Sequence, residues 1–220
     1  MTRRLAVIVL AAALLAGAAA RPNAVRIDDW STRRPGPLDL SDWRVYPFGR
    51  TPTFKQPPAI VLDDGRRVLE LRTTDEAMRI GRGFGVDPHK TPMLVWEWKA
   101  LALPAGGDVR DLKRNDQAAR LMLMFEGMKG LLYVWDTMSP VGTESRPEDF
   151  DIFERALIVV RSGPAEAGRW WRERRDVNAD FRRQFGEAPR TIKWVGLESH
   201  SNDTHSTSGA RFGAVGFEPR

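Results

Sequence analysis

The sequence has no cysteine. That excludes a disulfide framework, thiol catalysis and every thiolate metal site, so stability has to come from an apolar core. No repeat of fixed period and no low-complexity tract interrupts the chain. The apolar run near the N-terminus is too short for a stable membrane span, and no stop-transfer pattern follows it. Charge of one sign is also scarce, with a formal net charge of +5 over 220 residues. Such a mild excess is not the footprint of a nucleic-acid partner.

What is present begins with a leader. "MTRR" supplies a basic start, "LAVIVLAAALL" an apolar run, and "AGAAAR" ends in small residues, with Ala18 and Ala20 fitting the A-x-A rule for cleavage before Arg21. Residues 1–20 are therefore expected to be a cleaved export signal and the protein to be periplasmic or secreted. The rest of a twin-arginine motif is missing, and no cysteine follows to carry a lipid anchor. Loss of Arg3 and Arg4 with the leader lowers the net charge to +3 and leaves 200 residues, enough for one domain with a sizeable core.

Residues 21–40, rich in Pro, Arg and Asp without apolar periodicity, read as an N-terminal arm, and 41–220 as a single domain. Short apolar stretches then alternate with turn signals. "WRVYPF" precedes "AIVLDDGRRVLEL", where Asp64-Gly65 marks a hairpin. "MLVWEWKALAL", "QAARLMLMF" and "GLLYVWD" read as long central strands, completed by "ALIVVRS", "TIKWVGLES" and "ARFGAVGFE". One segment, "AEAGRWWRERRDVNADFRRQFGE", places Trp170, Val177, Phe181 and Phe185 at helical spacing, capped by Ser162 and ended near Gly186. The expected fold is mainly β, a jelly-roll-like β-sandwich with one amphipathic helix packed across it.

Four groups of residues carry chemistry. "EDFDIFE", Glu148 to Glu154, packs four acids around three apolar residues. Its spacing is similar to that of sandwich-fold glycosidases related to the laminarinases, in which two carboxylates about 5–5.5 Å apart act in a retaining mechanism. Here the first position is Asp, and the string follows a loop-like "GTESRP". It therefore reads as an acidic loop and strand edge. "SHSNDTHS" offers His200, Asp203 and His205, but the spacing matches no ligand pair and the composition is that of a polar loop.

The third group lies on the central strands. By alternation Glu97 and Lys99 share a face opposite Trp96 and Trp98. Asp116 and Arg120 share one with Met122 and Met124, and Tyr133 shares one with Trp135. Charges in mid-strand are costly to bury unless paired or facing a wet groove. One reading is a glycan-binding face, with Glu97, Lys99, Asp116 and Arg120 on the hydroxyls and Tyr133 and Trp135 as stacking platform. The other is a structural ion-pair network with the tryptophans as core. The basic helix, "RWWRERR" and "FRRQF", reads as a solvated, salt-bridged surface, because Glu173, Asp176 and Asp180 sit among its arginines.

The phrases "DPHKTPMLVWEWK", "NDQAARLMLMF", "LYVWD", "IVVRSG" and "ERRDVNADFRRQFGE" fall in order over nearly the whole mature chain. They resemble the bacterial domain-of-unknown-function family 3047. The resemblance implies an exported single-domain protein and transfers no catalytic residue. It covers Trp98, Lys99, Asp116, Arg120, Tyr133, Trp135 and Arg161. The chain departs from the family near its end, where "SHSNDTHSTSGARFGAV" keeps only Asp203 of several acids. The expectation is thus an exported sandwich that binds a carbohydrate or cell-envelope polymer through one sheet face. It calls for no cofactor, no metal, no nucleic acid and no stable membrane span. A glycan-cleaving hydrolase or lyase on the same fold and an envelope assembly partner stand as alternatives.

Overall fold

A computed structural model describes residues 24–45, 54–147 and 153–220. The leader and all but the last two residues of "EDFDIFE" lie outside these residues. Among the described residues no helix is long and apolar enough to cross a membrane.

The described residues form two seven-stranded sheets packed face to face, a jelly-roll-like β-sandwich with a single α-helix among them. The strands are β1 (Val25–Asp28), β2 (Gly36–Pro37), β3 (Arg44–Val45), β4 (Ala59–Asp63), β5 (Arg66–Thr74), β6 (Ala77–Val86) and β7 (Met93–Ala102). They continue with β8 (Ala119–Phe125), β9 (Lys129–Asp136), β10 (Glu144–Ser145), β11 (Glu154–Ser162), β12 (Trp171–Asp176), β13 (Ile192–His200) and β14 (Thr207–Glu218). The back sheet runs β12-β7-β14-β5-β4-β2, with β1 also paired to β14. The front sheet runs β10-β11-β9-β8-β13-β6-β3. All its pairs are antiparallel except β11 with β9. The Asp64-Gly65 turn joins β4 to β5 as expected, with φ of +50° and +75°, the left-handed pair that a tight hairpin of this twist needs.

Period-two alternation decides what enters the core. Trp96 and Trp98 of β7 meet Tyr133 and Trp135 of β9 between the sheets. Trp96 stacks on Tyr133 at 5.2 Å and Trp98 tilts against Trp135 at 6.0 Å, and all four are fully buried. Four large aromatic side chains out of water contribute several kcal/mol by area alone, as an upper bound.

The stretch read as an arm is bound into the fold from Val25 on. β1 extends the back sheet, and behind it Trp30 is fully buried in a left-handed conformation, φ +61°. Asp28 holds this knot: it accepts the Trp30 N–H (2.9 Å), Trp43 Nε1 (2.9 Å) and Arg33 Nη2 (2.7 Å), while Trp30 Nε1 donates to Gly213 O. Isolated tryptophans around one carboxylate bury this segment, so it shows no apolar period.

The helix, α1, is Val177–Phe185, much shorter than the spacing predicts. Asp176 caps it, not Ser162, which ends β11. The preceding "WRERRD" is the edge strand β12, because β7 offers it a free ladder and its period of two puts Glu173 inward. There Glu173 accepts Trp98 Nε1 (3.1 Å) and Arg161 Nε (2.7 Å). Val177 and Phe181 of α1 drop into the shared core, and Arg183 on the far side pairs with Glu144 of β10.

Candidate functional site: the outer face of the front sheet

The strand pairings assemble the outer face of the front sheet row by row. One row crosses β6, β13 and β8 as Arg79–Glu198–Arg120, then continues to Val134 and Val159. The next is Gly81–Gly196–Met122–Leu132–Leu157, with Arg44 of β3 opposite Gly81. A third contains Gly83, Trp194, Met124, Gly130 and Arg155.

The glycines have a packing role. A Cβ on Gly81 would lie 2.1–2.3 Å from the Trp194 indole, and one on Gly83 would meet the same ring at 3.5 Å. The half-buried indole therefore lies across both positions, where any side chain would push it off. Gly130 makes the same room for Phe153, and Gly196 for Met122. On the β9–β11 side the face is closed by Val109 and Phe153, which pack on Leu132, Val134, Leu157 and Val159. Asp136 fixes the Val109 loop by accepting the backbone N–H groups of Val109, Met138 and Ser139 and the side-chain amide of Gln117.

The Arg–Glu–Arg row is the electrostatic centre. Glu198 Oε2 lies 3.7 Å from Arg79 Nε and 3.8 Å from Arg120 Nη1, and 3.1 Å from His200 Nε2. Burial works against the charge of Glu198, but the guanidiniums of Arg79 and Arg120 favour it and hold its carboxyl below the ordinary range. Burial, then the charges of Arg120 and Arg79, hold His200 well below the ordinary histidine range. The ring is thus neutral, and its Nε2 accepts from Arg79 Nε at 3.0 Å. Burial draws Arg120 down to about 10, so it stays charged at neutral pH. Arg120 Nη2 donates to Asn115, while its buried Nε finds no acceptor. Arg79 reaches the surface, its side chain 31% exposed against 2% for Arg120.

The expected site residues separate into three places. Asp116 and Arg120 lie at this face, although Asp116 is buried and spends one oxygen on Thr204 N (2.8 Å) and Oγ1 (2.7 Å), holding the 201–206 turn. Glu97 and Lys99 lie on the opposite outer face, that of the back sheet, paired with Arg66 and Asp63. Tyr133 and Trp135 correct the expectation most directly. Their shared face is the inner one, where Tyr133 Oη donates to Asp180 and Trp135 Nε1 to Gly163 O, so neither presents a stacking surface. One sheet face does not gather all six residues, since alternation says which residues share a face but not which sheet or side that face becomes.

Arg79, Trp194 and Glu198 escaped the sequence reading. Alternation in "TIKWVGLESH" already puts Trp194, Glu198 and His200 on one side. β6 was invisible because its outer positions are Arg79 and glycines. Of the polar loop, His200 belongs to the buried row, whereas exposed His205 meets Asp75 at 2.8 Å. Among the described residues no three His, Asp or Glu side chains gather as a metal set.

Fold and face together define a two-sheet jelly-roll sandwich whose front sheet carries a glycine-floored, arginine-lined outer surface. The chain belongs to the family described as Protein of unknown function (DUF3047), which matches residues 41–216. No curated protein matches the sequence. Among solved structures it is similar to the xyloglucanase domain of NopAA, a type three effector from Sinorhizobium fredii, in complex with cellobiose (8% identity, 84% of this chain and 98% of that one, TM-score 0.48). It is also similar to a non-crystalline cellulose specific carbohydrate-binding module, CBM28 (8% identity, 76% and 83%, TM-score 0.34). A third is a loop swap mutant of Necallimastix patriciarum Xyn11A (10% identity, 73% and 82%, TM-score 0.36). None of them lends this chain a residue role.

Proposed function

We propose that this protein is an exported carbohydrate-binding sandwich that holds a glycan on the outer face of its front sheet. The observation that carries the reading is the Arg79–Glu198–Arg120 row on the outer face of the front sheet, in which Arg79 reaches the surface. Guanidinium and carboxylate groups on a sheet face hydrogen-bond sugar hydroxyls. The leader at residues 1–20 supports the exported setting.

Affinity electrophoresis against a panel of plant, fungal and bacterial polysaccharides tests this. The expected result is saturable retention on at least one polymer. Arg79→Ala should lose it tenfold or more, and Lys99→Met on the opposite face should keep it. Retention on no polymer, or retention by Arg79→Ala equal to that of the unaltered protein, would overturn the proposal.

A further inference from the structure

The open edge of the back sheet carries chemistry that the front face does not use. β12 stands last in its strand order and pairs with β7 alone among the described residues. Val177 N donates to Pro92 O in the same register, so alternation commits Trp171, Glu173 and Arg175 to β7 and turns the backbone N–H and C=O groups of Arg172 and Arg174 outward. Groups left along an edge in this way are a template for a further strand. The side chains beside them are unequal in charge. Glu173 is committed to Trp98 and Arg161, Asp176 to Arg220 and Glu166 to Arg161, and Glu218 meets Arg172 at 3.4 Å. Exposed Arg174 meets a carbonyl, Pro219 O, at 3.5 Å, and exposed Arg169 lies against the Trp171 ring at 5.4 Å. Neither has a carboxylate partner among the described residues.

We propose that β12 is a docking edge for an acidic, extended segment of a partner protein, which adds to the back sheet as a further strand. Main-chain bonds to Arg172 and Arg174 supply affinity, and alternate side chains supply specificity. Acidic residues of the added strand fall opposite Arg172 and Arg174, where cross-strand charges of opposite sign attract. Residues between them fall on the inner side, next to half-buried Trp171, where an apolar side chain fits. A second copy of this chain would bring more arginine to an edge that already has it, so charge disfavours self-pairing. The edge belongs to the other sheet from the glycan face, and this inference stands apart from that reading.

Fluorescence anisotropy tests this with a labelled peptide of alternating Glu and Val, the same peptide with its backbone amides N-methylated, and one in which Lys replaces Glu. The expected result is saturable binding of the first peptide, at least tenfold tighter than either of the others. Arg174→Glu should weaken it tenfold or more, and Arg174→Lys should keep most of it. Arg174→Pro should weaken it at least fivefold, because it removes an outward N–H and no bond to β7. Arg174 gives the fold one long contact and no ion pair, so these variants leave the sandwich intact. Binding of none of the peptides would overturn the proposal. Equal binding of the N-methylated peptide would reduce the effect to general charge attraction and overturn strand addition. Binding unmoved by every Arg174 variant would place it elsewhere on the molecule, against the proposal. A dimer of the protein that is lost in Arg174→Pro would give the edge to a second copy of this chain and overturn the acidic partner.

Discussion

Both sheets carry charges at mid-strand on their outer faces, and they use them in opposite ways. On the back sheet Lys99 and Arg211 share Asp63, and Arg211 also holds Glu70 at 2.7 Å. Trp170 donates its Nε1 to Asp63, and its ring lies under Arg66 at 4.7 Å and Lys99 at 5.3 Å. There cations and acids are matched, several times over, and the tryptophan is enclosed by them. On the front sheet one carboxylate serves two guanidiniums, and the tryptophan is laid on glycines instead of between charges. Mid-strand charge alone therefore does not distinguish the two faces; the way acids and bases are matched does.

The sharpest test of that contrast removes the lone acid. Glu198→Ala leaves Arg79 and Arg120 facing each other across a site where Arg120 is almost wholly buried, and breaking a buried pair in this way costs about 3–5 kcal/mol. Denaturant unfolding should show the unfolding free energy fall by that amount. Arg120→Met together with Glu198→Met should recover much of it, because the uncompensated buried charge is then gone.

The same row makes the fold sensitive to acid. His200 is held below its ordinary 6.5, so the unfolded chain takes up a proton on it first as pH falls, and stability begins to drop below about 6.5. Glu198 is held below its ordinary 4.5, so its contribution is complete above about 4.5 and fades as pH falls further. Unfolding free energy measured from pH 7.5 to pH 3 should fall in two stages. His200→Gln should remove the upper one, and a profile flat from 7.5 to 5 in the unaltered protein would contradict the neutral buried ring.

Gly81→Ala probes the platform. A methyl group 2.1 Å from the indole forces the ring off the sheet, an overpacking cost of about 1–3 kcal/mol. Tryptophan emission should shift to the red, as Trp194 swings into water. On the back sheet Lys99→Met should cost less, about 1–2 kcal/mol by chemical unfolding, since Asp63 keeps Arg211 at 3.1 Å and Trp170 Nε1 at 3.0 Å. A loss as large as that of Glu198→Ala would erase the difference between the faces.

The architecture was legible because alternation and turn chemistry are local. Asp64-Gly65 announces its own hairpin, and "MLVWEWKALAL" announces a strand whichever sheet it joins. Half of the candidate site was legible for the same reason, in Asp116 and Arg120. The other half depends on register between distant strands. That Arg79, Glu198 and Arg120 form one row is set by β13 pairing with both β6 and β8, which no single segment encodes. Trp170 and the "WRERR" run misled for a related reason. Their helical spacing is real, but an open edge on β7 offered a ladder that outweighed local propensity.

The smallest effect is expected at Glu97 and Arg66, which form the most exposed link of the back-sheet network, 2.7 Å apart with side chains 26% and 43% exposed. An ion pair so open to water is worth about 0–1 kcal/mol, because solvent screens it and ordering two long side chains offsets the attraction. Arg66 also stacks on Trp170, so Arg66→Ala alone mixes two losses. A double-mutant cycle with Glu97→Gln separates them, and the coupling should come out below 1 kcal/mol and shrink further in added salt. A coupling of 2 kcal/mol or more would mean that the back sheet, too, depends on a single pair. The two faces would then differ only in how much of their charge water reaches.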